Sequence, residues 1–199
     1  QIQRILPSNE VWQGCVYIVS RRSEPGKICK YSENDQFYFG SLSGNKEKQV
    51  RLLSLLTAAG INAFNPENII DRIWKKFFRI STAATLTSYY NLPIGKVLDL
   101  HTDDLLALAD EFIAVATAMG ISFPPNSRDE IIEGQRKMPY NSTTSMHSDF
   151  LKGAQTELES ITGYIVQCAK DLNIEVPCYL KMYNELKTNY TNIYNSPNN

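Results

Sequence analysis

Lys76, Ser145 and Glu157 carry side chains of types that can take part in acid–base and anion-binding chemistry, though type and spacing alone assign them no role. Lys76 follows Trp74 by two positions in the run Ile73-Trp74-Lys75-Lys76-Phe77-Phe78. A lysine ammonium can donate a proton to a carbonyl oxygen that gains charge, and partial burial lowers its pKa towards a working range. Ser145 opens the run Ser145-Met146-His147-Ser148-Asp149-Phe150, and Glu157 stands twelve positions on, inside Thr156-Glu157-Leu158-Glu159. A hydroxyl and backbone amides at a helix start can hold a carboxylate, and a glutamate can orient an ammonium or accept from a hydroxyl. Each has a plainer alternative. Lys76 beside Lys75 can be a solvated helix lysine, Ser145 an ordinary N-cap, and Glu157, one turn before Ile161, a surface acid like Glu159.

The elements that would carry these groups are strand-like in the first 40 residues and helical after them. Val11 to Val19 is a β-branched and aromatic run, and Gly26 to Tyr31 and Gln36 to Gly40 follow after turn-rich stretches, which predicts a small meander. A piece this small has open edges and is marginal alone, so it reads as the tail of a larger sheet. From Asn45 onward apolar residues recur at helical spacing: Leu52, Leu55, Leu56 and Ala59, then Ile69, Ile70, Ile73, Trp74, Phe77 and Phe78. Further helices are expected over Asp103–Met119, Arg128–Lys137, Ser145–Asp171 with a break near Gly153, and Tyr179–Tyr194. Thr102 with Asp103 and Asp104, and Ser127 with Asp129 and Glu130, are expected to supply caps and first-turn acids.

Composition narrows the function class without naming one. The 199 residues are 43% hydrophobic, enough to bury a sizeable core. Lysine plus arginine (20) nearly balance aspartate plus glutamate (21), so nothing marks a surface for nucleic acid or an anionic membrane. No run is long enough to span a bilayer, and the start is polar rather than signal-like. Cys15, Cys29, Cys168 and Cys178 have no C-x-x-C spacing, and His101 and His147 are the two histidines, so no metal site is expected. Reduced thiols in the cytoplasm are the expected state.

Taken as a whole, the run from Pro139 to Tyr183 resembles the C-terminal signature of the ketopantoate reductases (2-dehydropantoate 2-reductases). Ser145-Met146 with Asp149 matches the Ser-Met-x-x-Asp opening, Thr156-Glu157-Leu158-Glu159 the Thr-Glu box, and Asn173-Ile174-Glu175-Val176-Pro177 the Gly-Ile-x-(Val/Ile)-Pro turn before the last helix. The lysine block, with Asn91-Leu92-Pro93-Ile94-Gly95-Lys96-Val97-Leu98, resembles the family's Trp-x-Lys helix and Pro-x-Gly turn. Gly14-Cys15-Val16-Tyr17-Ile18, Glu24-Pro25-Gly26-Lys27-Ile28 and Phe39-Gly40 resemble the last strands of its nucleotide-binding domain.

The resemblance implies a mainly α fold. A helical C-terminal domain of the ketopantoate reductase/6-phosphogluconate dehydrogenase type would be preceded by a few β-strands left from a truncated Rossmann-type domain. Residues 1–43 would be those strands and residues 44–199 the substrate-binding and dimerisation domain. It implies NADPH-dependent reduction of ketopantoate, a 2-oxo acid, in pantothenate and coenzyme A biosynthesis, with a homodimer among the assemblies open to it and neither nucleic acid nor membrane as partner. Lys76 would be the general acid, with Lys75 the weaker candidate, while Glu157 would orient the ammonium and Ser145 hold the substrate carboxylate. No G-x-G-x-x-G occurs in the sequence, so the first ~100 residues of the parent, the bulk of its dinucleotide domain, are expected upstream of Gln1 and NADPH is expected to bind mainly there.

The chain departs from the better-known enzymes on the substrate side. Their asparagines one and two turns after the lysine, and after the proline, are Ile80, Ala84 and Ile94 here. That predicts a less polar pocket and a shifted 2-oxo acid, unless Ser81, Thr87 or Ser88 supplies the lost polar contact. The rival is a helical interaction module that keeps the fold without catalysis. Lys76 and Glu157 favour the enzyme, and the three apolar replacements favour drift.

Overall fold

The computed structural model describes residues 2–5, 10–31, 33, 35–41 and 44–194. Packing divides the chain into two compact units, residues 1–76 and 77–199. Their boundary falls inside one long helix, whereas strand-like sequence gives way to helical sequence at 43/44.

In the first unit a short helix α1 (Ile2–Ile5) precedes strands β1 (Gln13–Tyr17), β2 (Ser20–Glu24), β3 (Lys27–Lys30) and β4 (Gln36–Gly40), then helix α2 (Lys46–Ala58) and strand β5 (Ala63–Phe64). The expected meander is not what forms. β1 pairs antiparallel with β4, β4 pairs parallel with β5, and β2 and β3 make a separate hairpin. β2 (Ser-Arg-Arg-Ser-Glu) has no apolar alternation, and β5 is two residues long. Both exist because a neighbouring strand offers backbone partners. β4 is central, and its last three residues, Tyr38 to Gly40, are all buried. Trp12 stacks with Phe39 at 6.0 Å, Tyr38 with Phe64 at 5.0 Å, and Tyr17 meets Tyr38 edge-on at 5.7 Å.

α2 is capped by Asn45, whose side chain accepts from Glu47 N at 2.8 Å. Its buried residue is Gln49, while Leu55, expected in the core, is exposed. The Asn65 amide explains the burial of a glutamine, because it donates to Gln49 Oε1 at 2.8 Å and to the Phe39 carbonyl at 2.9 Å.

Helix α3 (Ile69–Tyr90) leads into the second unit, which continues with α4 (Ile94–Leu100), α5 (Thr102–Ala118), α6 (Ser127–Arg136), α7 (Ser145–Leu151), α8 (Thr162–Leu172) and α9 (Pro177–Tyr194). α5 is the central helix and packs against α4, α6, α8 and α9. Leu105, Leu108, Ala109, Phe112, Val115 and Ala116 repeat at helical spacing and are fully buried. The expected caps shift by a residue. The Thr102 hydroxyl turns back to the Leu98 carbonyl, and Asn126 rather than Ser127 precedes α6, its amide donating to Glu130 Oε1 at 2.6 Å.

The break expected near Gly153 is there, and it is wide: the stretch from Ser145 to Asp171 forms two helices separated by residues 152–161. Gly153 ends the first with φ of +61°, a left-handed geometry that costs glycine nothing. Gly153 N donates to the Phe150 carbonyl and Ala154 N to that of Asp149, the paired bonds of a Schellman stop. Asn173 ends α8 in the same way, with φ of +53° and bonds from Asn173 N to Lys170 O and Ile174 N to Ala169 O. Asparagine is the residue best able to replace glycine there.

Candidate active site

Lys76 belongs to the first unit, half-buried on α3 against β1. Its Nζ donates to the Val16 carbonyl at 2.5 Å and lies 5.5 Å from the centre of the Tyr17 ring. Strand alternation puts Gln13, Cys15 and Tyr17 on the more buried side of β1. One turn earlier on α3, Arg72 lies over the Tyr38 ring at 5.1 Å. Burial pushes the Cys15 thiol pKa up, and the charges of Lys76 and Arg72 pull against that rise.

Within the second unit, the helix face that follows Lys76 closes as it runs. Ile80 is 39% exposed, Ala84 1% and Ile94 1%. Ala84 lies in a core cluster with Met146, Leu158, Ile161 and Leu186. The residues of α3 from Ser81 to Ser88 are all buried, and their hydroxyls are mostly spoken for. Ser81 Oγ is 3.0 Å from Tyr179 Oη, Thr85 Oγ1 is 2.8 Å from Thr162 Oγ1, and Thr87 Oγ1 is 2.9 Å from Thr144 Oγ1 while also donating to the Ala83 carbonyl. Of the three hydroxyls expected as possible substitutes for the lost amides, two are committed to the fold. Ser88 Oγ is buried with no partner among the described residues.

Ser145 is the first residue of α7 and is exposed, so its hydroxyl faces outward. The cap is Thr144, whose side chain accepts from His147 N at 3.3 Å. The start of α7 is pinned from several directions. Ile94 N donates to the Ser142 carbonyl at 2.9 Å, and Gly95 N to that of Tyr140 at 3.0 Å. The Tyr140 ring lies against Gly95 so closely that a Cβ there would come within 2.2 Å of it. The Tyr140 hydroxyl in turn donates to Asp99 at 2.6 Å. His147, buried, bridges Asn91 Oδ1 through Nε2 at 2.8 Å and Thr143 Oγ1 through Nδ1 at 2.5 Å. With Asn91 Oδ1 accepting, Nε2 carries the proton and Nδ1 accepts from the threonine. Burial lowers the His147 pKa below its ordinary 6.5.

Glu157 is exposed in the connection before α8. Leu158, beside it, is a core residue, and Thr156 Oγ1 accepts from Leu158 N at 3.4 Å. The Glu157 carbonyl accepts from Ile161 N at 2.9 Å. One buried neighbour and two local bonds therefore hold the carboxylate outward. Glu159, expected as a surface acid, is exposed, and it accepts from the Tyr183 hydroxyl at 2.7 Å and pairs with Lys187 at 3.0 Å. The Tyr183 bond, with the lysine, lowers its pKa.

A cleft of about 340 Å³ in the first unit includes Val16, Lys30, Asp35 and Asn62, and an apolar cleft of about 540 Å³ in the second is lined by Val166, Ala169, Ile174, Val176 and Leu180 and does not include Ser145 or Glu157. Sequence reasoning missed the Val16–Tyr17 seat of Lys76. Its one signal was the period-two burial of β1, and nothing local linked that strand to a helix sixty residues away. Among the described residues no three His, Cys, Asp or Glu side chains gather as metal ligands, and no helix is long and apolar enough to cross a membrane.

Comparison with known proteins bears on what this arrangement serves. Residues 68–190 match the family described as ketopantoate reductase PanE/ApbA C terminal. A 2-dehydropantoate 2-reductase of Pyrococcus abyssi is 31% identical over 176 residues, 82% of this chain and 55% of that protein. The uncharacterised oxidoreductase YkpB of Bacillus subtilis is 25% identical over 190 residues, 94% of this chain and 63% of that one. The crystal structure of 2-dehydropantoate 2-reductase from Porphyromonas gingivalis superposes with a TM-score of 0.78 at 38% identity, covering 94% of this chain and 58% of that chain. This chain thus spans somewhat over half the length of these relatives. With the family match extending over well more than half of its residues, the chain belongs to the ketopantoate reductase PanE/ApbA C-terminal family.

Proposed function

We propose that this chain is the C-terminal portion of an NADPH-dependent 2-dehydropantoate 2-reductase, reducing a 2-oxo acid of the ketopantoate class in the cytoplasm. The observation that carries the reading is Lys76, a lysine within the family-matched helix whose ammonium is held in place by a strand carbonyl at 2.5 Å. On this reading Lys76 donates a proton to the carbonyl oxygen of the substrate as that oxygen gains charge. Ser145 and the first-turn amides of α7 take the carboxylate, and Glu157 serves the lysine or a substrate hydroxyl. Residues 1–43 are the last strands of the cofactor domain and residues 44–199 the substrate domain. The 199 residues contain no Gly-rich pyrophosphate turn, so the cofactor is held by protein outside them. The homodimer remains the proposed assembly, and a dimeric ketopantoate reductase of Staphylococcus aureus shares the fold at 21% identity.

The test is made in the whole reductase. Lys76→Ala lowers kcat by ~10²–10⁴-fold, as loss of a general acid does, with little effect on folding, and Lys75→Ala leaves kcat near the parent value. Equal losses from both substitutions, or full turnover by Lys76→Ala, would remove the assignment.

A second reading, a related reductase for a less polar 2-oxo acid, is favoured by Ile80, Ala84 and Ile94. The core packing of Ala84 under Met146 and Leu158 leaves no amide on that side. Leaving a substrate hydroxyl without its partner costs on the order of 1–3 kcal/mol. Comparing kcat/KM for ketopantoate and for an analogue lacking its terminal hydroxyl decides between the two. Near-equal values support the apolar pocket, with Ile80→Asn restoring discrimination, whereas a preference of orders of magnitude for ketopantoate means that another group, Ser88 first, meets the hydroxyl.

A further inference from the structure

We propose that Tyr17 is a positioning residue for Lys76: its ring face and the Val16 carbonyl together form a neutral seat that holds the ammonium in place. This rests on the reading of Lys76 as the proton donor. A lysine side chain has four rotatable bonds and three N–H donors, so one hydrogen bond leaves it free to swing. The Val16 carbonyl takes one proton at 2.5 Å, and the Tyr17 ring, 5.5 Å from Nζ, lies within the range where a π face attracts a cation.

The seat is rigid because it is built on paired strands. Val16 and Tyr17 lie in β1, which is in register with β4 from Gln13↔Gly40 to Tyr17↔Gln36. In that register Tyr17 and Tyr38 are diagonal neighbours, and their edge-on contact at 5.7 Å fixes the Tyr17 ring. Tyr38 is itself clamped, stacked on Phe64 at 5.0 Å with the Arg72 guanidinium over it at 5.1 Å. The titratable and charged groups around Lys76 in this unit are Cys15 and Tyr17 from β1 and Arg72 from its own helix, with Tyr38 of β4 in contact with Tyr17 and Arg72. No carboxylate is paired with Lys76 among the described residues of its unit. A carbonyl and a ring steady the ammonium without an opposite charge and still let it release its proton to a substrate oxygen.

The experiment uses the full chain with its lysines reductively methylated by ¹³C-formaldehyde. The Lys76 methyl resonance is assigned by its loss in Lys76→Arg and titrated with pH. Tyr17→Leu is expected to lower the Lys76 midpoint by roughly half a pH unit, the worth of one partly exposed cation–π contact. Tyr17→Phe is expected to leave it near the parent value and Tyr17→Trp to raise it, with Lys75 unmoved throughout. The Phe and Trp variants keep the test decisive should Tyr17→Leu fail to fold. A Lys76 midpoint that stays flat across the series, or a Tyr17→Phe shift as large as that of Leu, overturns the proposal. In the whole reductase the high-pH limb of kcat moves with the same midpoint. If the lysine titration shifts and that limb does not, the Tyr17 seat stands and the reading of Lys76 as the acid falls.

Discussion

His147 shows how a single residue reports on the fold around the candidate site. Both of its ring nitrogens are engaged, Nε2 with Asn91 at the end of α3 and Nδ1 with Thr143 just before α7. Its pKa is lowered by burial from 6.5. A histidine whose folded-state pKa lies below its unfolded value is more readily protonated in the unfolded chain. Its contribution to stability is therefore complete above 6.5 and is lost as the pH falls through the lowered value. Urea unfolding midpoints of the parent should drop across that interval more than those of His147→Gln, which keeps neutral hydrogen bonding. Parallel curves for the two proteins would mean that the ring titrates alike in the folded and unfolded chains. The same bridge positions Ser145, two residues away, so a residue with no chemistry of its own helps to set the place of one that has a proposed role.

At the scale of the element, α9 begins in a way its own sequence does not announce. Pro177 opens it without an N–H, and the next two amides, Cys178 N and Tyr179 N, donate to the two carboxylate oxygens of Glu111 at 2.7 and 2.9 Å. The cap thus comes from α5, a carboxylate at the positive end of the α9 dipole. Glu111→Ala should cost about 1–2 kcal/mol, the usual loss for a charged cap with two bonds, and Glu111→Gln, which keeps one acceptor, a smaller amount. Urea denaturation measures both, and an Ala variant as stable as the parent would show that water replaces the carboxylate at no cost. Helix extents were legible because apolar spacing and stop residues are local. The caps were not, since Thr102 and Ser127 have the right residue types but spend themselves on Leu98 and on burial.

At the scale of the molecule, the chain spans 55–63% of the two curated relatives described above. These 199 residues should show no micromolar NADPH binding by calorimetry, because no Gly-rich strand-to-helix turn is present to take the pyrophosphate. Micromolar binding would mean that this chain holds the cofactor by another route. The sequence by itself determined the helical character after Asn45 and the family, and marked Lys76, Ser145 and Glu157 as candidates, because periodicity and short motifs are written within a few turns of chain. Tertiary structure alone decided the rest. It paired β1 with β4 across the β2–β3 hairpin, closed Ala84 beneath Met146 and Leu158, committed the Ser81 and Thr87 hydroxyls to Tyr179 and Thr144, and put Lys76 on the carbonyl of Val16. The physical reason is separation along the chain. Backbone pairing and buried hydroxyls are satisfied by partners tens of residues away, and which partner arrives depends on how the elements pack.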